Sequence, residues 1–121
     1  MAYKMLIVDD SNIIRRKIQR GSDNEKFQIV GTATNGKDAV QKAKELEPEV
    51  ITMDLTMPQM DGIECIENIM KINPNIRILV VSALSDKATG IEALEQGARG
   101  FLCKPFDDQQ LDNALLELIG G

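Results

Sequence analysis

The chain has 121 residues, 43% hydrophobic and 27% charged, as expected of one soluble globular domain. Its net charge of −5, with no long basic stripe, argues against nonspecific DNA binding, and an aromatic content of 3% makes stacking platforms for bases or flavins scarce. With no histidine, the chain has no Ser-His-Asp or Cys-His catalysis, no imidazole metal ligand and no phosphohistidine of its own.

The first apolar run, Met5-Leu6-Ile7-Val8, reads as a buried strand that ends on Asp9-Asp10. Ser11-Asn12 offers N-cap chemistry for a helix through about Arg20, with Ile13, Ile14 and Ile18 inward and Arg15, Arg16, Lys17 and Arg20 outward. After a polar loop from Gly21 to Lys26, Phe27 to Ala33 forms a second, more polar strand suited to a sheet edge. Asn35-Gly36 turns the chain into a helix reaching about Glu47, with Ala39, Val40, Ala43 and Leu46 on one face and Pro48 beyond its end. Val50 to Met53 is a third strand, short and without alternation, hence buried on both faces, and it climbs to Asp54. Pro58 forces a turn within the loop Thr56 to Asp61.

Gly62 opens a third helix with Ile63, Ile66, Ile69 and Met70 inward, broken by Asn73-Pro74-Asn75. Ile76 to Val81 is a fourth strand ending on Ser82. Asp86 to Gln96 is a weak helix, because Gly90 at its middle costs about 1 kcal/mol relative to Ala. Gly97 stops it. Phe101-Leu102-Cys103 is the fifth strand, ending on Lys104-Pro105, and Cys103 reads as a small buried hydrophobe. Asp107-Asp108 open a last helix whose inner face is Leu111, Leu115 and Leu118 or Ile119. Cys65 and Cys103 make neither a disulfide framework nor a zinc motif. No apolar run approaches the ~20 residues of a membrane span, and the run after Lys4 is too short for a signal peptide, so no membrane insertion and a cytoplasmic location are expected.

A strand–helix pair repeated five times, with no linker or internal repeat, predicts a single α/β domain over residues 1–121. Its architecture is a (βα)5 doubly wound parallel sheet with helices on both faces. Four strands then finish on polar residues along one sheet edge: Asp9-Asp10, Asp54, Ser82 and Lys104. That edge is where open α/β sheets bind ligands. Each residue alone has a plainer reading: a helix cap for Asp9 or Asp10, a turn cap for Asp54, a turn hydroxyl for Ser82, a solvated lysine for Lys104. Their convergence is what argues for a site. Three carboxylates in one place need a cation, and oxygen ligands without thiolate or imidazole select Mg²⁺ or Mn²⁺. Adding an ammonium and a hydroxyl makes a site for a phosphoryl group, with Asp54 as in-line nucleophile and an aspartyl phosphate as product.

On Val8-Asp9-Asp10, Met53-Asp54-Leu55-Thr56-Met57-Pro58-Gln59-Met60-Asp61-Gly62, Ser82-Ala83 and Lys104-Pro105-Phe106, the chain resembles response-regulator receiver domains, close to the stand-alone chemotaxis type. The resemblance covers essentially the whole chain and implies a flavodoxin-like strand order 2-1-3-4-5. It implies that Asp54 is the phosphoacceptor, and that Asp10, Asp54 and the Thr56 backbone carbonyl bind Mg²⁺ while Asp9 acts through metal-bound water. Lys104 contacts the phosphoryl group, with a cis peptide bond to Pro105. Ser82 and Phe101 are the switching pair, and Thr56 and Leu84 tune phosphoryl lifetime. Phe101 departs from the tyrosine common in the chemotaxis type, so its ring lacks a hydroxyl. The implied partners are a histidine kinase or phosphotransfer domain upstream and a protein target on the face made by the fourth helix, fifth strand and last helix, with a monomeric receiver. Such a domain is a switch that catalyses its own phosphotransfer and autodephosphorylation. A phosphorelay or phosphate-sink receiver, or an N-terminal receiver cut from a larger regulator, uses the same residues.

Three rivals are weaker. Gly31 to Asp38 fits G-x-x-x-x-G-K, but a P-loop needs Ser or Thr where Asp38 stands. A flavodoxin-like electron carrier needs a neutral phosphate loop where Asp9-Asp10 stand. A degenerate scaffold receiver usually lacks a site residue, and none is missing here. The cluster Arg15, Arg16, Lys17 and Arg20 is either a kinase-docking surface or a solvated helix face.

Overall fold

A computed structural model describes residues 2–22, 25–55, 62–83 and 87–120. The elements alternate as β1 (Tyr3–Val8), α1 (Asn12–Ser22), β2 (Phe27–Ala33), α2 (Gly36–Leu46), β3 (Val50–Met53), α3 (Gly62–Ile72), β4 (Arg77–Ala83), α4 (Lys87–Glu95), β5 (Gly100–Lys104) and α5 (Asp108–Gly120). The sheet is parallel, in the order β2-β1-β3-β4-β5. The polar second strand is an edge, as its composition predicts. Chain direction across the sheet reverses between β1 and β3, the switch point where doubly wound sheets open a crevice.

Alternation along the buried strands divides the core between the two faces. Met5, Ile7, Val50, Leu79 and Val81 pack under Ile18 of α1 and Leu111, Leu115 and Leu118 of α5. Leu6, Val8, Ile51, Met53, Ile78 and Val80 pack under Ala39 and Ala43 of α2, Cys65, Ile66 and Ile69 of α3, and Ala93 of α4. The inner faces of α2, α3 and α5 therefore follow from their spacing, with Leu118 buried and Ile119 only partly so.

Local chemistry sets the helix ends. Ser11 Oγ accepts from Ile14 N at 3.3 Å, and Asn35 Oδ1 accepts from Asp38 N at 2.8 Å. Asp107 and Gln110 form a reciprocal capping box at the start of α5, with bonds of 2.7 and 2.9 Å. Gly97, with φ of 126°, ends α4 while Ala98 N returns to Ala93 O.

Four expectations need correction. Ile13 is 79% exposed; only Ile18 of the three isoleucines is fully buried, because α1 presents a narrow stripe to the sheet. Cys103 is half-buried on the last strand, whereas Cys65 on α3 is the buried small hydrophobe. α1 continues through Ser22, whose hydroxyl bonds back to the Ile18 carbonyl, so the polar loop starts later than Gly21. Strand β4 runs two residues past Val81, so Ser82 lies within the strand, still paired with Cys103. Among the described residues no helix is long and apolar enough to cross a membrane.

Candidate functional site

The register carries the site residues to one edge. Val8 pairs with Met53, and Asp54 N donates to Val8 O at 3.0 Å, so Asp9 and Asp54 leave adjacent strands side by side. Ala83 pairs with Lys104, bringing the end of β5 level with the end of β4. Asp9, Asp54 and Ser82 are buried and Asp10 is exposed. One carboxylate oxygen each from Asp9, Asp10 and Asp54 lies within 4.8 Å of the others. Lys104 Nζ stands 3.1 Å from Asp9 Oδ2 and 3.9 Å from Asp54 Oδ1. The Lys104–Pro105 peptide is cis.

Close approach of Gly62 holds Asp54 at the strand end. Its N–H donates to Leu55 O at 3.1 Å, and a Cβ there would meet Leu55 Cα at 2.5 Å and Asp54 O at 3.0 Å. Only glycine fits, which is the physical content of the Asp61-Gly62 step. Asp9 is held differently: its Oδ1 accepts from Ser11 N at 2.8 Å and its carbonyl accepts from Arg15 Nη1 at 2.9 Å.

Three carboxylates and one ammonium leave two formal negative charges in a largely buried site. Like charges about 4 Å apart repel by roughly 4 kcal/mol even at an effective dielectric of 20. Among the described residues Asp9 Oδ2 is buried without a hydrogen-bond donor; Lys104 Nζ approaches it as a charge rather than along a hydrogen-bond direction. An all-oxygen donor set with excess negative charge and a buried, unbonded anionic oxygen fits a hard divalent cation.

Phe101 pairs in register with Val80 and packs partly buried against the α2–α3–α4 side of the core, its ring lying on Gly90. Its neighbours Lys87, Gly90, Ile91, Leu94 and Cys103 line a shallow apolar groove of about 320 Å³. Ile91 and Leu94 are exposed there. Thr56 and Leu84, expected to tune the site, lie outside the described residues, as do Met57 to Asp61.

The structure divides the basic cluster of α1. Arg15 and Lys17 turn to the site loops: Arg15 to the Asp9 carbonyl and Asn12, Lys17 to the Phe106 carbonyl. Arg16 and Arg20 stay exposed beside Ile13 and Gln19. Sequence reasoning had no signal for this division, because it depends on where the β5–α5 turn falls. It also missed Cys65 as core, although Cys65 is spaced four residues before the inward Ile69. Gly31 to Asp38 forms no P-loop: Asn35 caps the Asp38 N–H, and Asp38 pairs with Lys42 at 3.1 Å.

The sequence profile of the response regulator receiver domain matches residues 5–116. The chain is 44% identical over 115 residues to the chemotaxis protein CheY of Thermotoga maritima, covering 95% of this chain and 96% of that one. It is 45% identical over 111 residues to a protein-glutamate methylesterase/protein-glutamine glutaminase of Aliivibrio fischeri, covering 89% of this chain but 29% of that protein. The crystal structure of the CheX–CheY–BeF3–Mg²⁺ complex from Borrelia burgdorferi superposes with a TM-score of 0.90 at 34% identity, over 97% of this chain and 89% of that chain.

Proposed function

The chain belongs to the response regulator receiver domain family, of the chemotaxis CheY-like type, and from that premise we propose that Asp54 accepts a phosphoryl group from a phosphohistidine or a small phosphodonor. The observation that carries the proposal is the placement of Lys104 Nζ between Asp9 and Asp54 in a cluster of three carboxylates. Receiver domains bind Mg²⁺ at an acidic pocket; here Asp10 and Asp54 would hold it with the Thr56 carbonyl, Asp9 acting through its bound water. When bound, the ion neutralises charge on the phosphoryl oxygens.

The residues of this chain do the rest. An Asp54 oxygen attacks phosphorus in line; the new O–P bond forms as the donor's N–P bond breaks, and the electron pair returns to the imidazole nitrogen, which takes up a proton. Lys104 places its ammonium against the equatorial oxygens. Ser82 donates its hydroxyl to one of them, and Phe101 follows into the space that Ser82 vacates. The same arrangement lets water hydrolyse the aspartyl phosphate, with Thr56 and Leu84 governing its approach.

The kinase or phosphotransfer partner docks beside α1, where exposed Ile13, Arg16 and Arg20 combine an apolar point with two cations next to the site. The target docks on α4-β5-α5, where Ile91 and Leu94 are exposed in an apolar groove. A cytoplasmic, monomeric switch is part of this reading. Incubation with a histidine kinase, ATP and Mg²⁺ should add the mass of one phosphoryl group to the intact chain, and Asp54→Asn should abolish the adduct. An unmodified wild-type chain would sink the proposal.

A further inference from the structure

Lys17 crosses from α1 to the turn after β5. Its ammonium lies over the Phe106 ring, 4.7 Å from the centroid, and donates to the Phe106 carbonyl. Phe106 is itself 3% exposed, set in the core with Ile18 and Leu111. The lysine therefore grips one residue at two points, ring face and backbone oxygen. Phe106 stands two residues after Lys104, whose ammonium sits 3.1 Å from Asp9 and 3.9 Å from Asp54.

We propose that Lys17 is a positioning residue for phosphotransfer: by gripping Phe106 it sets the β5–α5 turn, and with it the reach of Lys104 to Asp54. The physical need is specific. A lysine is a flexible four-carbon stem, so its ammonium is placed only as well as its backbone is held. Asp9 is the nearer carboxylate, and a turn that relaxes lets Lys104 settle on it and withdraw from Asp54. The same helix holds the opposite wall of the site, since Arg15 donates to the Asp9 carbonyl at 2.9 Å. Helix α1 thus ties the acidic loop and the basic turn to one rigid body. A cation–π contact combined with a hydrogen bond is a stronger tie than either alone.

The inference rests on the phosphoacceptor role of Asp54. Its test is phosphorylation of the full chain by acetyl phosphate with Mg²⁺, followed as intact mass against time and donor concentration. Lys17→Met keeps the stem and loses the donor; it should lower the rate at saturating donor about tenfold, within the loss that a displacement of about 1 Å can cause, and leave the half-saturating concentration unchanged. Lys17→Arg, which can stack and donate, should recover most of the rate. In a Lys104→Ala background Lys17→Met should cost nothing further, because its effect runs through Lys104. An unchanged rate in Lys17→Met, or the same fold-loss with and without Lys104, would overturn the proposal. Thermal melts of each variant identify any that fail to fold, and Lys17→Leu, which also lacks a donor, then replaces Lys17→Met under the same criteria. A wild-type chain that takes up no phosphoryl group rejects the acceptor role itself; a wild-type chain that does, with Lys17→Met equal to it, rejects only the role of Lys17.

Discussion

The ring of Phe101 fills the space that a side chain at position 90 would take. A Cβ on Gly90 would lie 2.3 Å from Phe101 Cε2 and 2.7 Å from Cδ2. The glycine in the middle of α4 is there because the ring needs its seat, and the helix accepts the propensity cost. Gly90→Ala gains about 1 kcal/mol of helix propensity but overpacks the contact by about 1–3 kcal/mol. The expected net result is a melting temperature lower by a few degrees. Phe101→Leu in the same chain should relieve the clash, so the two substitutions together cost less than their sum. Thermal denaturation of the four chains checks this; a more stable Gly90→Ala would show that the ring does not rest there.

Lys104 is the cation that faces two buried carboxylates. Lys104→Met should destabilise the chain by about 1–2 kcal/mol, below the 3–5 kcal/mol of a fully buried pair because the lysine is partly exposed. Mg²⁺ should recover part of the loss. In the wild type, Mg²⁺ at tenfold its dissociation constant should add about 1.4 kcal/mol, reversed by a chelator. Asp9→Asn should blunt the Mg²⁺ effect. Denaturant melts with and without the ion measure all three, and a wild type indifferent to Mg²⁺ would refute the metal site.

Thr52 sits in the middle of β3, fully buried, with a hydroxyl that finds no hydrogen-bond partner among the described residues. It pairs with Ile7 and Leu79 in an otherwise apolar layer. Thr52→Val replaces an unsatisfied hydroxyl by a methyl group of similar size, and should stabilise the chain by about 1 kcal/mol. Urea melts provide the measurement, with an unchanged m-value expected. A loss of stability would mean that the hydroxyl is bonded in solution.

Arg16 and Arg20 remain exposed on α1 while Arg15 and Lys17 are tied to the site loops. Charge reversal at Arg16 and Arg20 should therefore slow transfer from a kinase by about tenfold at low ionic strength, and less in higher salt. Phosphorylation by acetyl phosphate should not change. Equal slowing with both donors would contradict a docking role and point to damage at the site.

Much of the site was legible because its residues punctuate apolar runs. Asp9, Asp54 and Lys104 end strands whose burial follows from composition alone, and parallel strands must end on one edge. Ser82 was placed correctly in space although β4 runs through it, since strand ends blur where a neighbouring strand continues the pairing. Ile13 was misjudged because three isoleucines in the first turns of α1 fit a helical stripe on paper, whereas only the arc around Ile18 meets the sheet. Cys103 is half-buried rather than buried for a similar reason. An apolar run does not say whether its strand lies at an edge, and β5 does.

The sequence by itself determined the element order, the two-faced core and the identity of the charged groups at the sheet edge. Those depend on local periodicity and on the direction of parallel strands. Tertiary structure alone decided which groups touch: Lys104 between Asp9 and Asp54, Phe101 on Gly90, Lys17 on Phe106, and Arg16 and Arg20 left to solvent. These contacts join residues distant in the chain through turn positions and side-chain reach, and no pattern within one segment encodes where another segment's turn will fall.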